Sequence, residues 1–300
     1  MLTTKPSAAS SANQARGLTS IDWNAVLAEQ VPILIQRALA EDVGTGDVTT
    51  LATIPTDDHH EGIMLAKAPG VVAGLSVARE SFLHVDPAVV FTPLVEEGTH
   101  VAAGTQIAKV AGPARAILTG ERVALNFLQR MSGIATATSR YVAAVAHTRA
   151  RILDTRKTVP GLRLLDKWAV VLGGGYNHRM GLYDMAMIKD NHIAAAGGIS
   201  AAVERVRGQW GHQVPVEVEV ANLDELREAL ELGLDLIMLD NMSVDEMRAA
   251  VALVNGRVPL EASGNVSLET VAAIADTGVD YISVGKLTHS VEAMDISLKL

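Results

Sequence analysis

The run Val214-Pro215-Val216-Glu217-Val218-Glu219-Val220 (VPVEVEV) decides the fold. Successive side chains of a β-strand turn to opposite faces. Val216, Val218 and Val220 therefore share one face, and Glu217 and Glu219 share the other. In an open, doubly wound parallel sheet, helices cover both faces and the strands read as apolar throughout. Two carboxylates beneath a helix would be costly to bury. In a β/α barrel the same carboxylates point into the mouth, among cations. VPVEVEV selects the barrel.

The rhythm on either side agrees. Strand-like runs recur at RILDT (151–155), AMIK (186–189), DLIMLD (235–240), VPLEAS (258–263) and DYISVG (280–285). Helix-like runs lie between them, around 161–172, 199–208, 223–232, 243–254 and 266–276, and Gly233 and Gly278 follow two of these as C-terminal caps do. Strands that alternate with helices build a parallel sheet with right-handed crossovers.

The first half reads differently. Apolar residues at helical spacing from Trp23 to Leu39 predict a helix, and EDVGTGDVTT (41–50) predicts a loop. Residues 61–112 carry short β-type runs broken by Gly, Pro and acidic pairs. Their pattern EEG-THV-AAG-TQIAKVAG is similar to biotinyl or lipoyl carrier domains, but the comparable turn, Ala102-Ala103-Gly104, has no lysine. A small scaffold sheet is expected there. Residues 117–147 predict one long helix, or two joined at Ser132-Gly133.

Bulk properties bound the function. The 300 residues are 49% apolar and contain no cysteine, so a disulfide framework, a thiolate nucleophile and a thiolate metal site are all excluded. A net charge of -9 argues against non-specific nucleic-acid binding. No apolar run approaches the roughly 20 residues that span a bilayer. Residues 1–20, rich in Ser, Thr and Ala and free of acids, are read as a disordered tail in preference to a transit peptide, and the chain as cytoplasmic.

Against that acidic background, residues 151–192 carry seven Lys or Arg and four Asp, a local balance of +3. Such an island suits a compact anion. In β/α barrels, function gathers at the C-terminal ends of the strands. Those ends carry Thr155, Arg156 and Lys157; Lys189, Asp190, Asn191 and His192; Glu219; Asp240 and Asn241; Ser263, Gly264 and Asn265; and Gly285 with Lys286 to Ser290, including His289. A glycine triplet, 173–175, leads to Asn177, His178 and Arg179. Arg122, near the start of an otherwise apolar helix, is conspicuous.

Glycine and small hydroxyl residues after the last strands leave backbone N–H groups for a phosphate. Glu219 and Asp240 suit sugar hydroxyls, Mg²⁺ or a developing cation. Arg156, Lys157, Arg179 and Lys189, with His178, suit a substrate carrying more than one anionic group. A phosphorylated sugar reacting with a carboxylated partner fits this set. No H-x-x-x-H or H-x-H pair occurs, so His178, His192 and His289 are not read as metal ligands.

DTRKT-PGLR, GGG-NHR-GL-D, KDNH, EVEV, LDN, EASGN and VG-LTHS, in that order, resemble the quinolinate phosphoribosyltransferase family. The resemblance runs from about Ala38 onward and includes EDVGTGDVT and ERVALNFLQRMSGIAT. It implies an α/β fold: an incomplete parallel β/α barrel of six to seven strands, with an N-terminal mixed α/β sandwich domain. The expected division is a tail at 1–20, the sandwich at 21–130, the barrel at 131–288, and a C-terminal segment, 289–300, packing back on the sandwich. The resemblance also implies that quinolinate and phosphoribosyl pyrophosphate give nicotinate mononucleotide, pyrophosphate and CO₂, with Mg²⁺, in a homodimer or higher oligomer with shared active sites.

By the same resemblance, Arg122 of a neighbouring subunit, Arg156, His178, Arg179 and Lys189 contact the quinolinate carboxylates. Lys157, Glu219 and Asp240 face the phosphoribosyl pyrophosphate and its Mg²⁺, held by the two acids directly or indirectly. Ser263, Gly264, Gly285 and His289 surround its 5′-phosphate, and Thr155 and Asn265 are further expected substrate-binding residues. Alternative readings are a relative using another base (a nicotinate or molybdenum-transport-associated paralogue), a Schiff-base aldolase using Lys157 or Lys189, and a non-enzymatic carrier.

Overall fold

The computed structural model describes residues 21–300, which form two compact units. One comprises residues 21–139, 158–174 and 287–300, and the other residues 140–157 and 175–286. Residues 1–20, expected to be a disordered tail, lie outside the described residues.

The first unit opens with α1 (Trp23–Val43), longer than the periodicity predicts and capped by the Asp22 carboxylate, which accepts from the Asn24 and Ala25 N–H groups. The expected loop over 41–50 shrinks accordingly. Gly44 ends α1, and Asp47, whose side chain accepts from Thr50 N–H, already caps α2 (Val48–Thr53). The β-type region holds β1 (His59–Ala66), β2 (Gly70–Val71), β3 (Val90–Pro93), β4 (His100–Val101) and β5 (Gln106–Pro113). A helix that the alternation concealed, α3 (Leu75–Val85), lies between β2 and β3. Its start is set by Glu97, whose carboxylate accepts from the N–H groups of Gly74 at 2.7 Å and Ser76 at 3.1 Å. That cap comes from more than twenty residues away, so no local signal marked the helix.

The long helix α4 (Ala114–Val145) runs unbroken through Ser132-Gly133. Those two residues serve close packing, not a break. The Ser132 hydroxyl accepts from Ala73 N–H and donates to Ala73 O, and a Cβ at Gly133 would collide with the Glu292 carbonyl. The boundary expected after residue 130 falls inside this helix, and the compact units divide after Ser139.

The second unit carries β6 (Arg151–Leu153). The chain then passes through α5 (Arg163–Leu172), which belongs to the first unit, and returns for β7 (Ala186–Ile188), α6 (Asp190–Ala196), α7 (Ile199–Trp210), β8 (Val216–Val220), α8 (Leu223–Ala229), β9 (Leu236–Asp240), α9 (Val244–Val254), β10 (Leu260–Ser263), α10 (Val271–Ala275) and β11 (Tyr281–Ser283). α11 (Lys286–His289) and β12 (Ile296–Lys299) follow. β12 pairs antiparallel with β1, giving the first unit a four-stranded sheet in the order β12-β1-β5-β3. Met64, Phe82, Phe91, Ile107, Ile117 and Leu128 are among its buried core.

All six predicted strands of the second unit form one parallel sheet, in the order β6-β11-β10-β9-β8-β7. From β7 to β11 chain neighbours are sheet neighbours, and the last strand pairs with the first, β6. That is a ring opened between β6 and β7. At the open side, Tyr176 bridges in parallel to Leu153, so the expected six to seven strands become six and a single bridge. Val216, Val218 and Val220 are fully buried on the outward face of β8. Leu153, Leu236 and Tyr281 plug the interior, with Tyr176 packed against them.

Candidate active site

A cavity of about 750 Å³ opens at the C-terminal edge of the ring. Thr155, Arg156 and Lys157 enter it after β6, Lys189 after β7, Glu219 and Asp240 from β8 and β9, and Ser263 and Ser283 from β10 and β11. His178 and Arg179 reach it from the segment joining α5 to β7, and Met187 and Met238 add an apolar surface. Nine of the fourteen residues singled out from the sequence therefore line one cavity: Thr155, Arg156, Lys157, His178, Arg179, Lys189, Glu219, Asp240 and Ser263.

The cations are held from behind. The Asp154 carboxylate, fully buried, accepts from His178 N–H at 2.9 Å and from Asn177 Nδ2 at 2.6 Å. The Arg179 guanidinium donates to the Met185 carbonyl at 3.0 Å. Burial, with the Arg156 guanidinium as the next cause, lowers the pKa of Arg179 from its ordinary value. Two guanidinium groups that repel one another across a cavity mark a place for an anion. Lys189 Nζ closes an ion pair with Glu219. His192 is used locally, its Nδ1 accepting from Lys189 N–H at the start of α6.

The ends of β9 and β10 are shaped by backbone. Gly264 has φ +101° and Asn265 φ +51°, and Asn241 on the neighbouring strand end has φ +54°. A Cβ at position 264 would collide with the Asn241 side-chain oxygen, so only glycine fits there. Gly285 follows β11. Arg122, exposed on α4, and His289, exposed on α11, belong to the first unit.

One part of the site escaped the sequence reading. Beneath the cavity, His178 Nε2 lies 3.1 Å from Glu217 Oε2 and 3.2 Å from Glu261 Oε2, with both carboxylates fully buried. The Ser283 hydroxyl donates to Glu261. Burial alone would push the His178 imidazole down, but Glu261 and Glu217 more than offset it and hold it up, at about 10. Glu217 is itself held above the usual carboxylate range, by burial and then by Glu261. The signal was present: Glu217 precedes Glu219 by two residues, Glu261 precedes Ser263 by two, and period-two spacing puts each pair on one strand face.

Residues 134–299 match the family described as quinolinate phosphoribosyl transferase, C-terminal domain, and residues 47–132 its N-terminal domain. The chain belongs to this family. It is 52% identical over 286 residues to nicotinate-nucleotide pyrophosphorylase [carboxylating], chloroplastic, of Arabidopsis thaliana, covering 89% of this chain and 82% of that one. It is 46% identical over 269 residues to the probable enzyme of the same name from Bacillus subtilis, covering 90% and 93%. The solved structure of nicotinate-nucleotide pyrophosphorylase from Francisella tularensis superposes with a TM-score of 0.89 at 40% identity, covering 94% and 99%.

These relatives correct the cytoplasmic expectation. Those from Arabidopsis and rice are named chloroplastic, and three from Nicotiana are named mitochondrial. An acid-free Ser/Thr/Ala stretch does not by composition alone separate a tail from a transit peptide, and residues 1–20 lie outside the described residues. Among the described residues no helix is long and apolar enough to cross a membrane.

Proposed function

We propose that the cavity at the strand ends joins the two substrates that family membership implies, quinolinate and phosphoribosyl pyrophosphate. The chain has quinolinate phosphoribosyltransferase (decarboxylating) activity and serves NAD biosynthesis. The observation that carries our placement is the division of one cavity into a cationic wall, Arg156, Arg179 and Lys189, and an acidic one, Glu219 and Asp240.

The guanidinium groups of Arg156 and Arg179 and the Lys189 ammonium bind the two carboxylates and hold the pyridine nitrogen in line with the anomeric carbon, an orientation effect. Arg122 from a neighbouring subunit completes this wall in a homodimer with shared sites, a role its exposure on α4 supports. Ser263, Gly264, Asn265, Gly285 and His289 receive the 5′-phosphate, and Thr155 and Lys157 face the pyrophosphate. As pyrophosphate leaves, positive charge grows on the ribose, and Glu219 and Asp240 stabilise it. The ribosylated ring nitrogen is then cationic. When the adjacent C–CO₂ bond breaks, its electron pair stays on the ring carbon, CO₂ departs and that carbon takes up a proton. No residue forms a covalent bond with substrate.

Glu219 and Asp240, oxygen donors on adjacent strands, suit Mg²⁺, which commonly takes one or two carboxylates plus substrate phosphates. When bound it would neutralise pyrophosphate charge. An aldolase reading is disfavoured, because Lys189 is ion-paired to Glu219 instead of desolvated in an apolar pocket. The test supplies the chain with phosphoribosyl pyrophosphate, Mg²⁺ and quinolinate. Equal release of pyrophosphate and CO₂ is expected, and turnover of nicotinate without CO₂ would reject the assignment.

A further inference from the structure

The buried trio beneath the cavity is larger than binding of two substrates requires. His178 is clamped on every side. Its backbone N–H donates to Asp154, its Nδ1 accepts from the backbone N–H of Arg179 at 2.7 Å, and its Nε2 faces two carboxylates. Glu217 Oε1 is buried with no hydrogen-bond donor. Burying two carboxylates is expensive unless they are paired. The pairing here is with the His178 ring and, electrostatically, with Arg179. The three groups lie close enough together to hold an ion.

We propose that Glu217 and Glu261 are positioning residues for the acceptor: together they anchor the His178 ring, and through it the Arg179 backbone, so that the Arg179 guanidinium meets a substrate carboxylate. The proposal rests on the reading of the cavity as a quinolinate site. It adds that the His178 ring serves as a fixed post below the acceptor, its Nδ1 accepting from Arg179 N–H and its Nε2 facing the two carboxylates. Ser283, on the cavity wall, completes the anchor by donating to Glu261. Glu219, one side-chain step up the same strand, meets Lys189 at the cavity instead.

The test compares wild type with Glu217→Gln, Glu261→Gln and Ser283→Ala in the full-length chain. It measures KM for each substrate, kcat, the melting temperature and the ¹⁵N signal of His178. The expected result for either Gln variant is a rise of about tenfold or more in the KM for quinolinate, as for loss of a charge-assisted contact. The KM for phosphoribosyl pyrophosphate should change less than twofold, and Ser283→Ala should shift the quinolinate KM in the same direction by less. In wild type, His178 should hold a single tautomer with Nδ1 unprotonated and the proton on Nε2, a reading that stands even if a variant fails to fold. Equal movement of both KM values, an unchanged quinolinate KM in folded variants, a proton on His178 Nδ1 in wild type, or a stoichiometric transition metal in the purified protein would each overturn the proposal. Absence of quinolinate-dependent CO₂ release by wild type would instead reject the function on which it rests.

Discussion

Lys189, at the start of α6, and Glu219, at the end of β8, are joined in an ion pair between neighbouring strand ends. The two walls therefore touch before any substrate arrives. Both side chains retain solvent contact, 42% for Lys189 and 14% for Glu219, so the pair is accessible to competing charges. Under the proposed function, a substrate carboxylate would take Lys189 from Glu219 and leave that carboxylate facing the sugar, so that binding of the acceptor and preparation of the acid are one event.

Lys189→Met should accordingly raise the quinolinate KM by about tenfold or more, whereas Glu219→Gln should lower kcat with a smaller effect on the quinolinate KM. Steady-state kinetics with each substrate varied in turn checks the split.

Arg179→Lys is not conservative here. A planar guanidinium binds a carboxylate with two parallel hydrogen bonds and an ammonium does not. A loss of about 1.5–3 kcal/mol in quinolinate binding is expected, measured by calorimetric titration with the inert acceptor analogue phthalate.

Arg122→Ala should be inactive as a homodimer and regain part of its activity when mixed with Lys189→Ala subunits, because a hybrid dimer contains one intact composite site. Mixing with subunit exchange verified by mass spectrometry is the measurement, and absence of rescue would sink the shared site.

Two structural substitutions test the frame. Gly264→Ala introduces a Cβ at φ +101° against Asn241 and should cost about 1–3 kcal/mol. Arg130 grips the fully buried Asp166 with two hydrogen bonds of 2.8 Å, so Arg130→Ala should cost about 3–5 kcal/mol by leaving the acid unpaired. Chemical denaturation reads both.

The strands of the ring, and the residue types that nine of the singled-out positions bring to one cavity, were legible because period-two and helical spacings are local properties. α3 was not, because its cap, Glu97, approaches from a distant loop. One helix or two stayed open over 117–147, because Gly133 is dictated by the Glu292 backbone packed against it. For the His178 trio, spacing marked the strand faces of Glu217 and Glu261, but their meeting with His178 was not legible, because the three come from separate parts of the chain.

The chain's own residues determine the parallel β/α ring, through VPVEVEV and its repeats, and the two kinds of charge at the strand ends. They do so because alternation and turn chemistry act over a few residues. Only the tertiary structure decided how deep each carboxylate sits. Glu217 and Glu219 are equivalent by spacing, yet one is sealed against His178 and the other meets Lys189 at the cavity. Depth in a ring depends on register with neighbouring strands, where Glu217 stands opposite Leu236 and Glu219 opposite Met238, and register is a property of the assembled sheet.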